Sequence, residues 1–246
     1  MSTRPQANRS PEHWGPDARL RALRLCPLFR DWPEARLTEV AAIARARSYA
    51  RGTDIGTHHH PRSRDVIIVA AGGVEISSAS AEGKRFVLGL ASAPEVLALV
   101  LLLSDVRLPY DFRAYADSVL LHLPCDALTA ILDAEPILWR DVALLLCTRH
   151  GDSLRLLHDQ TLGTLEQRMA ATLAHLGRIH GIAADGGTEL GLRLPQEQLG
   201  AMLGVTRQSV NRVLRDMERA GVIAIDYNRI TIRDAAALDG IAARVA

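Results

Sequence analysis

The stretch LPQEQLGAMLGVTRQSVNRVLRDMERAG, residues 194–221, decides the fold. Pro195 suits the first turn of a helix, where a missing N–H costs little. Leu199, Met202 and Leu203 give that helix one apolar face, and Gly204 breaks it into a tight turn. Thr206 is a good N-cap for a second helix. At about 100° per residue, Val210, Val213, Leu214 and Met217 gather on one side of this second helix. Arg207, Gln208, Asn211, Arg212 and Arg215 gather on the other, and Gly221 ends the helix. An amphipathic helix whose open face holds only long hydrogen-bonding side chains has the chemistry that major-groove reading needs. Arg reaches guanine O6 and N7 with two hydrogen bonds, and Gln or Asn does the same for adenine N6 and N7. A merely solvated face would mix in acids, and here Asp216 and Glu218 fall beyond the reading positions.

Working outward, residues 222–225 and 229–233 read as two strands about a turn at 226–228, which predicts a wing beside the two helices. From Arg193 to Arg233 seven arginines stand against four carboxylates, a local excess of +3 in a chain whose formal net charge is +1. Phosphate attraction is thus available locally although no global field announces it. Upstream, residues 162–180 have a helical pattern, and 181–191 read as a turn-rich loop. From Pro136 to about His158, Ala143, Leu146, His150, Ser153 and Leu157 alternate at three- and four-residue steps. That spacing predicts a long helix with a seam for a second copy, a homodimer. Between residues 51 and 123 short apolar runs alternate with turn signals such as Gly72-Gly73 and Glu82-Gly83, the texture of a β sandwich or barrel. Residues 37–46 predict a short helix.

The 246 residues therefore divide, as expectations, into a disordered tail at 1–22, a β-rich domain at 23–135, a dimerisation helix at 136–160 and a winged helix-turn-helix at 161–246. The start has no apolar core of a signal peptide. The longest apolar run, 96–103, is far short of the ~20 residues a bilayer span requires. No membrane partner and a cytoplasmic site are expected. Three widely spaced cysteines, Cys26, Cys125 and Cys147, make no CxxC pair. Lys84 is the only lysine, which reads as composition bias toward Arg. No GxSxG, P-loop or HExxH motif supports an enzyme.

The residues LGVTRQSVNRVLRDMERAGVI, 203–223, together with Cys26-Pro-Leu-Phe29, Arg51-Gly52, Gly72 and Phe112-Arg-Ala114, resemble the CRP/FNR family of bacterial transcription regulators, the cyclic-AMP receptor protein and its oxygen-sensing relatives. The resemblance runs from about residue 25 to 238. It implies an α+β chain: an N-terminal cyclic-nucleotide-binding-like β-roll, a long dimerisation helix and a C-terminal winged helix-turn-helix on a double-stranded DNA operator, with RNA polymerase as a further partner. By the same carry-over Arg207, Gln208 and Arg212 fall on base-reading positions with Asn211 as a fourth. Thr206 and Ser209 fall on phosphate-contacting ones, and Arg215 is expected to meet phosphate beside them. Gln208 stands where many members have Glu, so the base preferred there is open.

The family's nucleotide pocket carries a Gly-Glu pair and an Arg followed by Ser or Thr. Here the corresponding places hold Leu97-Ala98 and Leu108-Pro109, with Arg107 one position off. A cyclic phosphate would lack a carboxylate for its ribose and a cation for its charge. Control by cyclic AMP is therefore not expected, and no cofactor is assigned. The alternative is a ligand-gated sensor of haem, gas, redox state or another small molecule. Three cysteines are too few for the four thiolates of an iron–sulfur cluster. His58, His59 and His60, and Cys147 with His150, are the remaining weak metal or haem candidates.

Overall fold

The computed structural model describes residues 14–55, 64–79, 85–104, 108–191, 194–226 and 229–243. The chain divides into two units, Met1–Thr148 and Arg149–Ala246.

The first unit is a β-roll of two four-stranded antiparallel sheets. One sheet has the order β1-β8-β3-β6, formed by β1 (Arg45–Tyr49), β3 (Asp65–Ala71), β6 (Glu95–Leu97) and β8 (Ser118–Pro124). The other has the order β2-β7-β4-β5, from β2 (Asp54–Ile55), β4 (Gly73–Ala79), β5 (Arg85–Ser92) and β7 (Asp111–Ala114). The centre of the first sheet is the β3–β8 pair, in which Val66 lies opposite Leu123 and Ile68 opposite Leu121. Both strands are near-continuous apolar runs because both of their faces are covered. Three helices close the unit: α1 (Pro16–Leu25), α2 (Glu34–Ile43) and α3 (Cys125–Ala134).

Two sequence expectations are corrected here. The irregular tail expected through residue 22 gives way to α1 at Pro16, because Ala22 and Leu23 are buried in the core. Arg19 also donates to the Ala41 and Ala44 carbonyls at the end of α2 and to the Trp14 carbonyl. The helix expected at 37–46 begins earlier and stops at Ile43, since Arg45–Tyr49 pairs with β8 instead.

A short 3-10 turn at Pro136–Leu138 leads into α4 (Trp139–Leu162), a 24-residue helix that runs through the boundary between the units. Its opening turns lie on the β-roll: Val142 is buried, and Trp139, Leu145 and Leu146 pack against that core.

The second unit combines α5 (Leu165–His180), α6 (Gln196–Leu203), α7 (Arg207–Arg219) and α8 (Ala235–Ala242) with a four-stranded sheet of order β11-β12-β10-β9. The strands are β9 (Gly181–Ala184), β10 (Gly187–Leu190), β11 (Ile223–Asp226) and β12 (Arg229–Ile232). The loop expected at 181–191 is thus a hairpin turning at Asp185-Gly186, and it joins the wing as two further strands. Thr164 opens α5 with a reciprocal capping box: its hydroxyl accepts from the Gln167 N–H, and Gln167 Oε1 accepts from the Thr164 N–H. Among the described residues no helix is long and apolar enough to cross a membrane.

His175 lies in the buried half of α5. Burial lowers its pKa below the ordinary value of 6.5, nearby Arg178 lowers it further, and Asp152 partly offsets this. The unfolded chain therefore takes up this proton first. The contribution to stability is complete above about pH 6.5 and is lost as pH falls through the lowered value. Melting between pH 7.5 and 5.5 is expected to drop by a margin that His175→Gln removes, and an unchanged pH dependence in that variant would contradict the assignment.

A winged helix-turn-helix with an open arginine face

The two helices of residues 194–221 form as their composition dictates. The Pro195 carbonyl accepts the first backbone hydrogen bonds of α6, and Gly204 ends it in the left-handed region at φ 66°. The turn is tight: the Val205 N–H bonds the Gly200 carbonyl at 3.0 Å. A β-carbon on Gly200 would lie 2.8 Å from the Val205 carbonyl oxygen, which is backbone and has no rotamer to escape into. Gly200→Ala is accordingly expected to destabilise the second unit by about 1–3 kcal/mol, read as a lowered melting transition. A neutral result would mean that the turn gives way without cost. Arg168 of α5 donates to the Leu203 carbonyl at the end of α6.

Thr206 caps α7, its hydroxyl accepting from the Ser209 N–H at 3.3 Å and lying 3.1 Å from the Ser209 hydroxyl. Val210, Val213, Leu214 and Met217 are buried together with Leu199, Met202 and Leu203 of α6. Arg207, Gln208, Asn211, Arg212 and Arg215 are all exposed, and Ser209 is half-exposed at the edge of the two faces.

The arginines of this unit fall into two groups. Arg215 pairs with Glu218 at 3.2 Å, Arg219 pairs with Asp216, and Arg229 pairs with Glu189 at 2.8 Å. Arg233 donates to the Asp185 and Gly186 carbonyls. Arg207 and Arg212 make no ion pair among the described residues; Arg207 opens α7, where the helix dipole is positive, and Arg212 stands near its middle. No carboxylate among the described residues neutralises their guanidinium groups. Arg193 lies outside the described residues. Glu218 also accepts from the Ile225 N–H at 3.1 Å, tying α7 to β11. Sequence reasoning gave Glu218 only the role of an acid beyond the reading positions.

The expected pocket residues lie in the first unit. Leu97 ends β6, Ala98 takes a left-handed conformation at φ 59°, and Leu99–Leu102 makes a short 3-10 turn. Leu97, Ala98, Leu99, Leu101, Leu102 and Leu108 are all buried in the β-roll core, while Pro109 is exposed. Arg64 donates to the Leu101 carbonyl at 2.5 Å and so fastens the turn. Arg107 and the run His58, His59, His60 lie outside the described residues.

On α4, Ala143, His150, Ser153 and Leu157 of the expected seam are exposed. Leu146 departs from it, being half-buried against its own β-roll, because the first turns of α4 are needed to close that core. Exposed Leu144, Leu154 and Leu157 carry the apolar surface of the helix instead. Cys147 is exposed, whereas Cys26 and Cys125 are buried, and burial pushes the Cys125 thiol up to about 11. Among the described residues no three His, Cys, Asp or Glu side chains cluster to hold a metal ion.

A β-roll followed by a long helix and a winged helix-turn-helix defines a DNA-binding transcription regulator of two-domain build. Residues 46–135 match the cyclic nucleotide-binding domain family, and residues 167–241 match the Crp-like helix-turn-helix domain family. The chain belongs to the CRP/FNR family of transcription regulators. It is 27% identical over 212 residues to the HTH-type transcriptional regulator Cmr of Mycobacterium tuberculosis, covering 85% of this chain and 79% of that one. It is 24% identical over 216 residues to the global nitrogen regulator of Synechococcus elongatus, covering 87% and 95%. In fold it is similar to FixK2 from Bradyrhizobium japonicum, with a TM-score of 0.72 at 18% identity, over 83% of this chain and all of that one.

Proposed function

We propose that this regulator acts as a homodimer on a pseudo-palindromic duplex operator, in the cytoplasm, and that it needs no cyclic AMP to do so. The observation that carries the reading is the open face of α7, where Arg207 and Arg212 are exposed and without an acidic partner among the described residues. With Gln208 and Asn211 they are assigned to base edges. Arg207 and Arg212 suit guanine, and the amides suit adenine. Thr206, Ser209 and Arg215 are assigned to phosphates. Arg215 would exchange its Glu218 partner for a phosphate, an exchange of one charge-assisted hydrogen bond for another. Two copies would place their α7 helices in successive major grooves about 34 Å apart. The exposed apolar side of α4, with Leu144, Leu154 and Leu157, is assigned to the second copy. RNA polymerase is the further partner that membership of the family implies.

Independence from cyclic AMP is supported by what occupies the β-roll. Leu97, Ala98 and Leu108 are apolar and buried where a ribose and a phosphate would need a carboxylate and a cation. The core closes over the Leu99–Leu102 turn. The dimer is then held in its DNA-binding arrangement by its own leucines, and its abundance sets its effect. Calorimetry with cyclic AMP tests this. No heat of binding and an operator affinity unchanged by the nucleotide are expected. Binding in the micromolar range would overturn it.

A further inference from the structure

Asn211 is one of four polar side chains assigned to base edges, and among the described residues it alone of the four is hydrogen-bonded by another side chain. Gln196, at the start of α6, donates from Nε2 to Asn211 Oδ1 at 3.1 Å. The two residues are 15 apart in sequence and meet because the turn at Gly204 folds α6 back along α7. Among the described residues neither amide makes a second side-chain hydrogen bond, and Asn211 is exposed on the reading face.

An asparagine amide has a donor end and an acceptor end of nearly equal shape, so a free one offers either to a base. Gln196 is an amide of the same kind, and in this structure it is its donor end that meets Oδ1, so the pairing decides which end of Asn211 is left for a base. We infer that Gln196 is a positioning residue for base recognition: it turns Asn211 Oδ1 toward α6 and leaves Nδ2 as the end offered to DNA. The inference rests on α7 being the reading helix. Its consequence is a stated preference. Nδ2 seeks an acceptor, and in the major groove purine N7 provides one. The oxygen keeps a second lone pair, which adenine N6–H fills and guanine does not. The base read by Asn211 is therefore adenine first, then guanine or thymine, whose N7 or O4 accepts from Nδ2, and cytosine last, because its major-groove edge offers a donor.

Gln196 is itself half-exposed and at a helix end, so its replacement leaves the core untouched. The test uses the full-length protein and a random duplex pool. The wild type and Asn211→Ala are selected first, and the operator position whose preference disappears in the variant is the one Asn211 reads. Gln196→Ala is then expected to flatten the preference at that position by about fivefold, the ratio one ordinary hydrogen bond sustains, while other positions keep theirs. Gln196→Glu presents an acceptor instead, so it should turn Nδ2 toward α6 and Oδ1 toward the base. Adenine should then lose ground to cytosine, whose N4–H is a donor. Its added negative charge lowers affinity for all sequences alike, which a preference profile does not register. If both Gln196 variants keep the wild-type profile, whatever their affinity, Gln196 does not orient Asn211 and the inference fails alone. If the wild type selects no operator, the assignment of α7 as the reading helix fails and takes the inference with it.

Discussion

Arg212→Ala is expected to weaken binding to the selected operator by about 1–3 kcal/mol and to relax the base preference at one position in each half-site. That is roughly a 5- to 150-fold loss in affinity. The magnitude follows from the bidentate contact to guanine O6 and N7 proposed for a guanidinium that has no acidic partner among the described residues. Arg215→Ala provides the contrast. Arg215 is already paired with Glu218, so what it offers a phosphate is a replacement and not a gain. Its loss should weaken all sequences evenly and lower the salt dependence. Binding curves for both variants on the operator and on single-base variants of it separate the two roles. An even loss across sequences for Arg212→Ala would place Arg212 on the phosphate backbone.

The second large effect concerns the β-roll. Leu99 is fully buried in the turn that packs into its core, and Leu99→Ala is expected to cost about 2–5 kcal/mol of that unit's stability. The size depends on how far the surroundings collapse into the space. Leu99 belongs to an apolar core cluster, so the space left is expected to stay dry and to take up no cyclic nucleotide. Chemical denaturation reads the loss, and calorimetry with cyclic AMP should remain silent. A variant that lost little stability would show that the leucine run is not packed as a plug. A variant that gained cyclic-AMP binding would show that a nucleotide site lay beneath it.

The parts of this fold that were legible in the sequence are those governed by local chemistry. Pro195, Gly204, Thr206 and Gly221 punctuate the two helices in single residues, and the period of Val210, Val213, Leu214 and Met217 sets their buried side. The β texture of the first half was legible for the same reason: β3 and β8 are apolar runs bounded by turn residues. What was missed depends on partners distant in sequence. Residues 16–22 read as the end of a tail rich in Pro and Arg, yet α1 is anchored by Arg19 on carbonyls more than twenty residues away. Ile182 and Ala183 have no strong strand alternation, and they become a strand because β10 pairs with them on one side and with β12 on the other. On α4, the packing of Leu146 against the β-roll was not legible, since periodicity marks an apolar side without saying which body covers it. Gln196 gave no signal at all. A polar residue in a first helical turn is ordinary, and only the folded turn brings it to Asn211.

The most direct measurement is selection from a random duplex pool by freshly purified protein with nothing added. One pseudo-palindromic sequence bound tightly is expected, with half-site centres one helical turn or a whole multiple of a turn apart and guanine and adenine at the positions that Arg212 and Asn211 address. Absence of any enriched sequence, or enrichment only after a small molecule is supplied, would contradict it, because α7 would then need an outside ligand to bring it into register with the groove.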